Sequence, residues 1–181
     1  MRRVPNSWKP KYRSVAITAA AGYNPPFRIT MDDTVIIYCD GACSNNQQRQ
    51  NRGGWGAVLL YRGKVKEISG AERDTSNNRM ELMACIQALE AVRTRELPVA
   101  VHTDSAYLAN CLRQKWYRRW QRNGWLTAAR KPVENKDLWL RLLALVERFP
   151  RLSFHKVAGH QGDELNERAD RLAREALQRL D

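Results

Sequence analysis

The stretch TVIIYCDG, residues 34–41, decides how the fold is read. Its β-branched and apolar run from Thr34 to Cys39 suits an extended strand, and Asp40 stands where that strand runs into Gly41. Working outward, Trp55 to Tyr61 is a second such run. Lys64 to Gly70 alternates after the short turn Tyr61-Arg62-Gly63-Lys64, which predicts a hairpin. Ser76, Asn77 and Asn78 then offer helix-capping side chains ahead of Leu82, Ile86, Leu89 and Val92, which share one face at helical spacing. Pro98 to Thr103 predicts a fourth strand. Two short helices follow at 105–114 and 116–122, then a longer one at 135–148 ending before Pro150. Leu152 to Val157 predicts a fifth strand, and from Asp163 the residues Leu165, Ala169, Leu172, Ala176 and Leu180 form the stripe of a last helix. The order βββ-α-β-α-α-α-β-α implies an α/β domain: a five-stranded mixed sheet, three antiparallel strands first, with helices packed on its faces.

Charge narrows the class of partner. The 181 residues hold 31 Lys and Arg against 19 Asp and Glu, a formal +12, so a polyanion is expected. No apolar run approaches the roughly 18 residues of a membrane span. Half of the excess charge lies in residues 1–30, which carry six basic and no acidic residues together with four of the seven prolines. Residues 1–33 are therefore expected to be a basic, flexible N-terminal extension, and residues 34–181 one domain. A basic arm, a cleaved transit peptide and a start site at Met31 all fit the extension. Cys39, Cys43, Cys85 and Cys111 are too few and scattered for a disulfide scaffold and read as free thiols in a reducing, cytoplasmic setting. Cys39 and Cys43 lack the second pair that a zinc site needs, and Cys39 and Asp40 point to opposite faces if the strand persists.

Four acids fall where a sheet of this kind collects function: Asp40 and Asp104 at strand ends, Glu81 early in a helix and Asp170 within the last helix. Each alone has an ordinary reading. Glu81 would complement a helix dipole, Asp104-Ser105 would cap a helix, Asp40-Gly41 would turn, and Asp170 would pair with Arg168, Arg171 or Arg174. Held together, however, four carboxylates cannot all ionise without counter-charge, so either some are protonated near neutral pH or cations bind, hard divalent ions being the natural solution.

The local sequences weigh against the ordinary readings. Tyr38-Cys-Asp40-Gly41-Ala-Cys43, Thr75-Ser-Asn77-Asn78-Arg79-Met80-Glu81-Leu82, Thr103-Asp104-Ser105, Val157-Ala-Gly159-His160-Gln-Gly and Asn166-Glu-Arg-Ala-Asp170 together resemble the ribonuclease H family, type 1, in order and spacing. The resemblance covers about residues 34 to 178 and implies the ribonuclease H-like fold. It also implies a Mg²⁺-dependent endonuclease that hydrolyses the RNA strand of RNA/DNA hybrids, leaving 5′-phosphate and 3′-hydroxyl ends. By position, Asp40, Glu81, Asp104 and Asp170 would hold two Mg²⁺ ions, with Mn²⁺ as a substitute; Asp40 would be shared, with Asp170 on the water-activating side and Glu81 and Asp104 on the leaving-group side. His160, in a loop with two glycines, would assist proton transfer or product release, and Asn166 would orient water or His160.

The same resemblance extends to the substrate surface. Between Lys115 and Lys136 stand seven Lys or Arg and one acid, Glu134, interleaved with Trp116, Tyr117, Trp120 and Trp125, a composition suited to a nucleic-acid backbone. It resembles the basic protrusion of type 1 enzymes. There, positions matching Tyr107, Trp116, Trp120 and Thr127 would line a channel for the DNA strand, and Ser76 and Asn135 would grip a DNA phosphate. Cys43, Asn45, Asn46, Asn77 and Asn78 would read 2′-hydroxyls, giving little base-sequence specificity. The chain departs from the family pattern at Asp74, where an arginine often helps hold the phosphate, at Ala106, and in the polar loop 45–54. No protein partner is implied, and a monomer is expected. A hybrid-binding module without catalysis is the alternative from another class; it would be favoured by a missing acid, and none is missing.

Overall fold

A computed structural model describes residues 33–44, 51–159 and 163–180. Among them lie five strands, β1 (Val35–Cys43), β2 (Arg52–Tyr61), β3 (Lys64–Arg73), β4 (Val99–Thr103) and β5 (Leu152–Lys156). Five helices accompany them: α1 (Asn77–Ala91), α2 (Ala106–Arg113), α3 (Trp116–Arg122), α4 (Lys136–Val146) and α5 (Glu164–Gln178). The sheet order is β3-β2-β1-β4-β5, with β1/β2 and β2/β3 antiparallel and β1/β4 and β4/β5 parallel. This is the mixed sheet expected from the element order. The expected extension 1–33 falls almost wholly outside the described residues.

Period-two alternation in β1 assigns its side chains to the two faces. Ile37 and Cys39 are buried in the main core with Met80, Cys85 and Ile86 of α1, whereas Tyr38 packs with Val58 and with Ala169 of α5. Asp40 shares the parity of Tyr38 and so belongs to the α5 side. The β2–β3 turn has positive φ at both Arg62 (47°) and Gly63 (73°), the geometry that matches the twist of a two-residue hairpin.

The first strand does not stop at Asp40. It continues to Cys43, paired with the glycine-rich start of β2 in the register Asp40↔Gly56, Ala42↔Gly54 and Cys43↔Gly53. Those glycines weaken the strand signal in sequence, but α5 requires them. A Cβ at Gly54 would overlap the Ala173 carbonyl oxygen, and one at Gly56 would overlap that of Ala169, so α5 lies with its backbone directly on β2. Gly41 serves α1 likewise, a Cβ there overlapping the Glu81 backbone nitrogen.

α1 is capped by Ser76, whose hydroxyl accepts from Arg79 N at 3.3 Å. The expected single apolar stripe understates it. Met80 through Ile86 are all buried, because α1 lies between the sheet and α4. Glu81 falls beyond the first turn and is 9% exposed, which removes the reading of a solvated dipole-capping acid.

Replacing Gly56 by Ala forces α5 away from β2. The expected loss is about 1–3 kcal/mol, read as a fall in Tm of roughly 2–10 °C, together with reduced activity because Asp170 moves with the helix. Thermal unfolding of the variant checks the first, and an unchanged Tm would contradict the contact.

Candidate active site

Four separate elements bring the four acids to one end of the sheet. Asp40 is carried by β1, Glu81 by the second turn of α1, Asp104 by the residue after β4, and Asp170 by α5. Asp40 is 7% exposed, and its Oδ1 accepts the Gly41 N–H at 2.7 Å. Burial first, then the charge of Asp104, and with smaller weight those of Asp170 and Glu81, push its carboxyl up to about 7, against the lowering effect of the Gly41 bond. Burial also raises Glu81, with Asp104 adding to it and the Ser105 hydroxyl opposing. The acids thus share one field centred on Asp40.

Each carboxylate is also held by a protein donor. Ser105 Oγ donates to Glu81 Oε2, and Asn77 Nδ2 donates to Glu81 Oε1 at 3.0 Å. Asn166 Nδ2 donates to Asp104 Oδ2 at 3.4 Å, and Arg174 Nε donates to Asp170 Oδ1 at 2.8 Å across one helical turn. Among the described residues, no three His, Cys, Asp or Glu side chains converge as oriented to hold a metal ion. The donor set is nonetheless all carboxylate oxygen in a strongly negative field, which fits hard divalent cations such as Mg²⁺ or Mn²⁺ and does not fit zinc or copper. The four cysteines are free, Cys39 in the core on the face opposite Asp40.

Ser105 was not legible as part of the site. In sequence Asp104-Ser105 reads as an N-cap, and Ser105 does cap α2, accepting from Leu108 N at 3.2 Å, but its own hydrogen goes to Glu81. His102 is likewise new. It is stacked between Tyr38 (4.7 Å) and His155 (4.9 Å), and burial with the His155 charge holds it down at about 4 against Asp163, so it stays neutral and does not offset the acids.

The expected substrate residues divide by exposure. Trp116 is 38% exposed, among the exposed Lys115, Arg118, Arg119 and Arg122, in a shallow depression that also takes in Ala128. Trp120 is only 9% exposed, its ring edge-on to Trp139 at 5.5 Å and tilted against Trp125 at 6.1 Å. Tyr107 is half-buried and accepts from Trp139 Nε1 at 2.7 Å. Trp120 and Tyr107 therefore anchor the basic segment to α4 and leave Trp116 as the open ring.

Thr127 is half-buried, with Oγ1 accepting from Lys131 N at 3.2 Å. Ser76 is exposed at the head of α1, and Asn135 is half-buried at the head of α4, with φ 55° and no cap bond from its side chain. Arg79 joins these two helix starts through a two-pronged pair with Asp137, at 3.0 and 2.7 Å. Cys43 lies against the Thr75 carbonyl at 3.7 Å, Asn77 is exposed, and Asn78 is half-buried. Asn45, Asn46 and His160 lie outside the described residues.

The RNase H family model matches residues 32–178. A ribonuclease H from Chlorobaculum parvum is 50% identical over 147 residues, 81% of this chain and 97% of that protein; one from Francisella philomiragia is 49% identical over 151 residues, covering 83% and 95%. Among solved structures, LC9-RNase H1, described as a type 1 RNase H with the type 2 active-site motif, superposes with a TM-score of 0.71 at 28% identity, covering 82% of this chain and 74% of that one. LC11-RNase H1, solved in complex with an RNA/DNA hybrid, gives 0.61 at 25% identity, covering 81% and 98%.

The raised Asp40 carboxyl has a signed consequence for stability. An unfolded aspartate titrates near 3.8, so between about pH 4 and 7 the folded chain binds the additional proton. Stability is fully present below about pH 4 and falls as pH rises through about 7. Asp40→Asn removes the ionised carboxylate and is expected to stabilise the metal-free chain at about pH 8 by on the order of 1–3 kcal/mol, the gain vanishing toward about pH 4. Urea unfolding at the two pH values checks this, and no gain at the higher pH would contradict the raised Asp40 carboxyl.

Proposed function

The chain belongs to the ribonuclease H family, and from that premise we propose that it is an endoribonuclease that hydrolyses the RNA strand of RNA/DNA hybrids with the aid of divalent metal ions. The observation that carries the reading is the set of four carboxylates, delivered by β1, α1, the end of β4 and α5, whose charges bear on the buried Asp40. The hybrid bound to LC11-RNase H1 supports the choice of substrate.

Two Mg²⁺ ions, or Mn²⁺ in their place, would activate water and neutralise charge gathering on oxygen during an in-line displacement at phosphorus, giving 5′-phosphate and 3′-hydroxyl ends. Asp40, the carboxylate on which the other three charges bear, would be the ligand shared between the ions. Asp170 would exchange its bond to Arg174 for a place on the water side, while Glu81 and Asp104 would serve the leaving-group side. Ser105 and Asn77 keep Glu81 oriented while it does so. His160, outside the described residues, would assist proton transfer or product release.

The basic segment gives the substrate half of the proposal. Lys115, Arg118, Arg119 and Arg122 would meet backbone phosphates, and the exposed ring of Trp116 would lie against deoxyribose of the DNA strand. Tyr107 and Trp120 would hold that surface in place from below, and Thr127 would border it. Ser76 and Asn135, at two helix N-termini fixed to each other by Arg79 and Asp137, would take a DNA phosphate. Cys43, Asn45, Asn46, Asn77 and Asn78 would read the RNA strand through its 2′-hydroxyls, which would give selectivity for sugar over base.

A labelled RNA/DNA hybrid, with RNA/RNA and DNA/DNA duplexes as controls, tests the reaction. Cutting of only the hybrid's RNA strand is expected with Mg²⁺ and none with EDTA. Asp40→Asn, Glu81→Gln, Asp104→Asn and Asp170→Asn are each expected to lose about a thousandfold in rate, the size of several kcal/mol of transition-state stabilisation. Hybrid binding without cutting would favour a binding module. Trp116→Ala is expected to weaken hybrid binding by roughly tenfold with little change in rate at saturation. A purely catalytic defect in that variant would remove the ring from the substrate surface.

A further inference from the structure

The two helix starts that would take a DNA phosphate differ in charge from the rest of the substrate surface. From Lys115 to Pro132 the basic segment holds six Lys or Arg and no acid. Around Ser76 and Asn135 the balance is reversed: in the stretches 72–79 and 134–137, Glu72, Asp74, Glu134 and Asp137 stand against Arg73, Arg79 and Lys136. Those three cations are engaged elsewhere. Arg79 makes its two-pronged pair with Asp137 and lies 3.7 Å from Glu72, Arg73 donates to the Leu180 carbonyl at 2.6 Å, and Lys136 lies over the Trp125 ring.

Asp74 and Glu134 are the acids left over. Both are exposed, and neither carboxylate has a hydrogen bond or ion pair among the described residues. Their backbones are fixed. Asp74 N–H donates to the Asn51 carbonyl at 2.6 Å, and Glu134 stands between Val133, whose N–H donates to the Trp125 carbonyl at 2.9 Å, and Asn135, whose carbonyl accepts from Trp139 N at 3.0 Å. Asp74 is thus kept two residues before Ser76, the cap of α1, and Glu134 one residue before Asn135, the cap of α4. The Glu134 charge reaches the Tyr107 hydroxyl, which burial chiefly raises and Glu134 raises a little further. The N–H groups and dipole of a helix start favour an anion, and an unpaired carboxylate just ahead of it disfavours one. At a phosphate held between Ser76 and Asn135 the two effects oppose each other.

We propose that Asp74 and Glu134 limit how tightly Ser76 and Asn135 hold the DNA phosphate, and so set how fast the DNA strand is let go. This rests on the hybrid-cleaving reading above and deepens it. Cutting the RNA strand leaves the DNA strand in the same channel, so every contact to DNA holds product as firmly as substrate. The cations of the 115–122 stretch supply attraction to the backbone. The two fixed carboxylates supply the repulsive element, which acts on dissociation more than on encounter. Repulsion between exposed charges is screened over about 10 Å at 0.1 M salt, so its effect belongs to low and moderate ionic strength.

The test is fluorescence anisotropy of a labelled RNA/DNA hybrid with the full chain carrying Asp40→Asn, so that binding and dissociation are read without cutting, alongside thermal unfolding. Added to that parent, Asp74→Asn and Glu134→Gln are each expected to tighten binding about threefold at about 50 mM salt, and together about tenfold, through slower dissociation. The gain is expected to fall below about twofold at 0.5 M salt. Glu147→Gln makes the same change of charge at the far end of α4, about 16 Å away, and is expected to leave affinity within about 1.5-fold. A neutral methylphosphonate, moved one linkage at a time along the DNA strand, is expected to abolish the gain of the double variant at one position. No tightening, an equal gain from Glu147→Gln, or a gain that survives every methylphosphonate overturns the proposal. A lowered Tm beside unchanged binding marks the two acids as partners of the helix dipoles only. Asn135→Ala binding as tightly as its parent overturns the phosphate contact and the proposal with it, whereas failure of the unaltered chain to cut the hybrid in Mg²⁺ overturns the hybrid-cleaving reading, so the failures are distinguishable.

Discussion

The contact of α5 with the bare backbone of β2 is the constraint on which the site depends. Gly54 and Gly56 have no side chains to hold the helix at ordinary distance, so its carbonyls rest on the strand where any Cβ would collide. Gly41 does the same for α1 on the opposite face of β1. With the β1–β2 pair gripped this closely, α5 on β2 and α1 on β1, Asp40 is carried within reach of acids from both helices. The glycines that make β1 and β2 weak strands in isolation are thus what permits the acids to gather, a local conflict settled by tertiary packing.

The gathering has an energetic cost that function explains. A buried aspartate whose carboxyl is pushed up to about 7 by burial and by neighbouring acids opposes folding near neutrality, and the chain offsets this only in part. Ser105, Asn77, Asn166 and Arg174 supply one donor each, and His102, neutral in its stack, supplies no positive charge. Such a site is stable in its folded frame yet strongly attractive to cations. On the proposed reading, a bound cation would complete the charge balance, so that stability is given up for binding.

The basic segment follows a different physical logic. Its cations are exposed and solvated, but the scaffold beneath them is aromatic: Trp120, Trp125, Trp139 and Tyr107 pack together and tie α3 to α4. Lys136 lies over the Trp125 ring at 5.8 Å. A protruding charged surface would otherwise be free to move away from the carboxylates. The aromatic anchor keeps the exposed Trp116 and its neighbouring cations at a fixed distance from the rest of the domain.

Sequence alone determined the element order, the mixed sheet, the four acids and the cationic character of the 115–136 segment. These depend on local periodicity, charge and motif spacing, which the chain carries in its linear order. Tertiary structure decided what those signals leave open. β1 runs on past Asp40 because the glycines of β2 pair with it, and Glu81 is buried because α1 is covered on two sides. Trp116 and Trp120, alike in sequence and four residues apart, part into an open ring and a buried anchor because only one side of a short helix meets α4. The bonds of Ser105 to Glu81 and of Asn166 to Asp104 join residues 24 and 62 positions apart. No local pattern records such pairs, since the directions of two side chains are fixed only once the elements that bear them have packed.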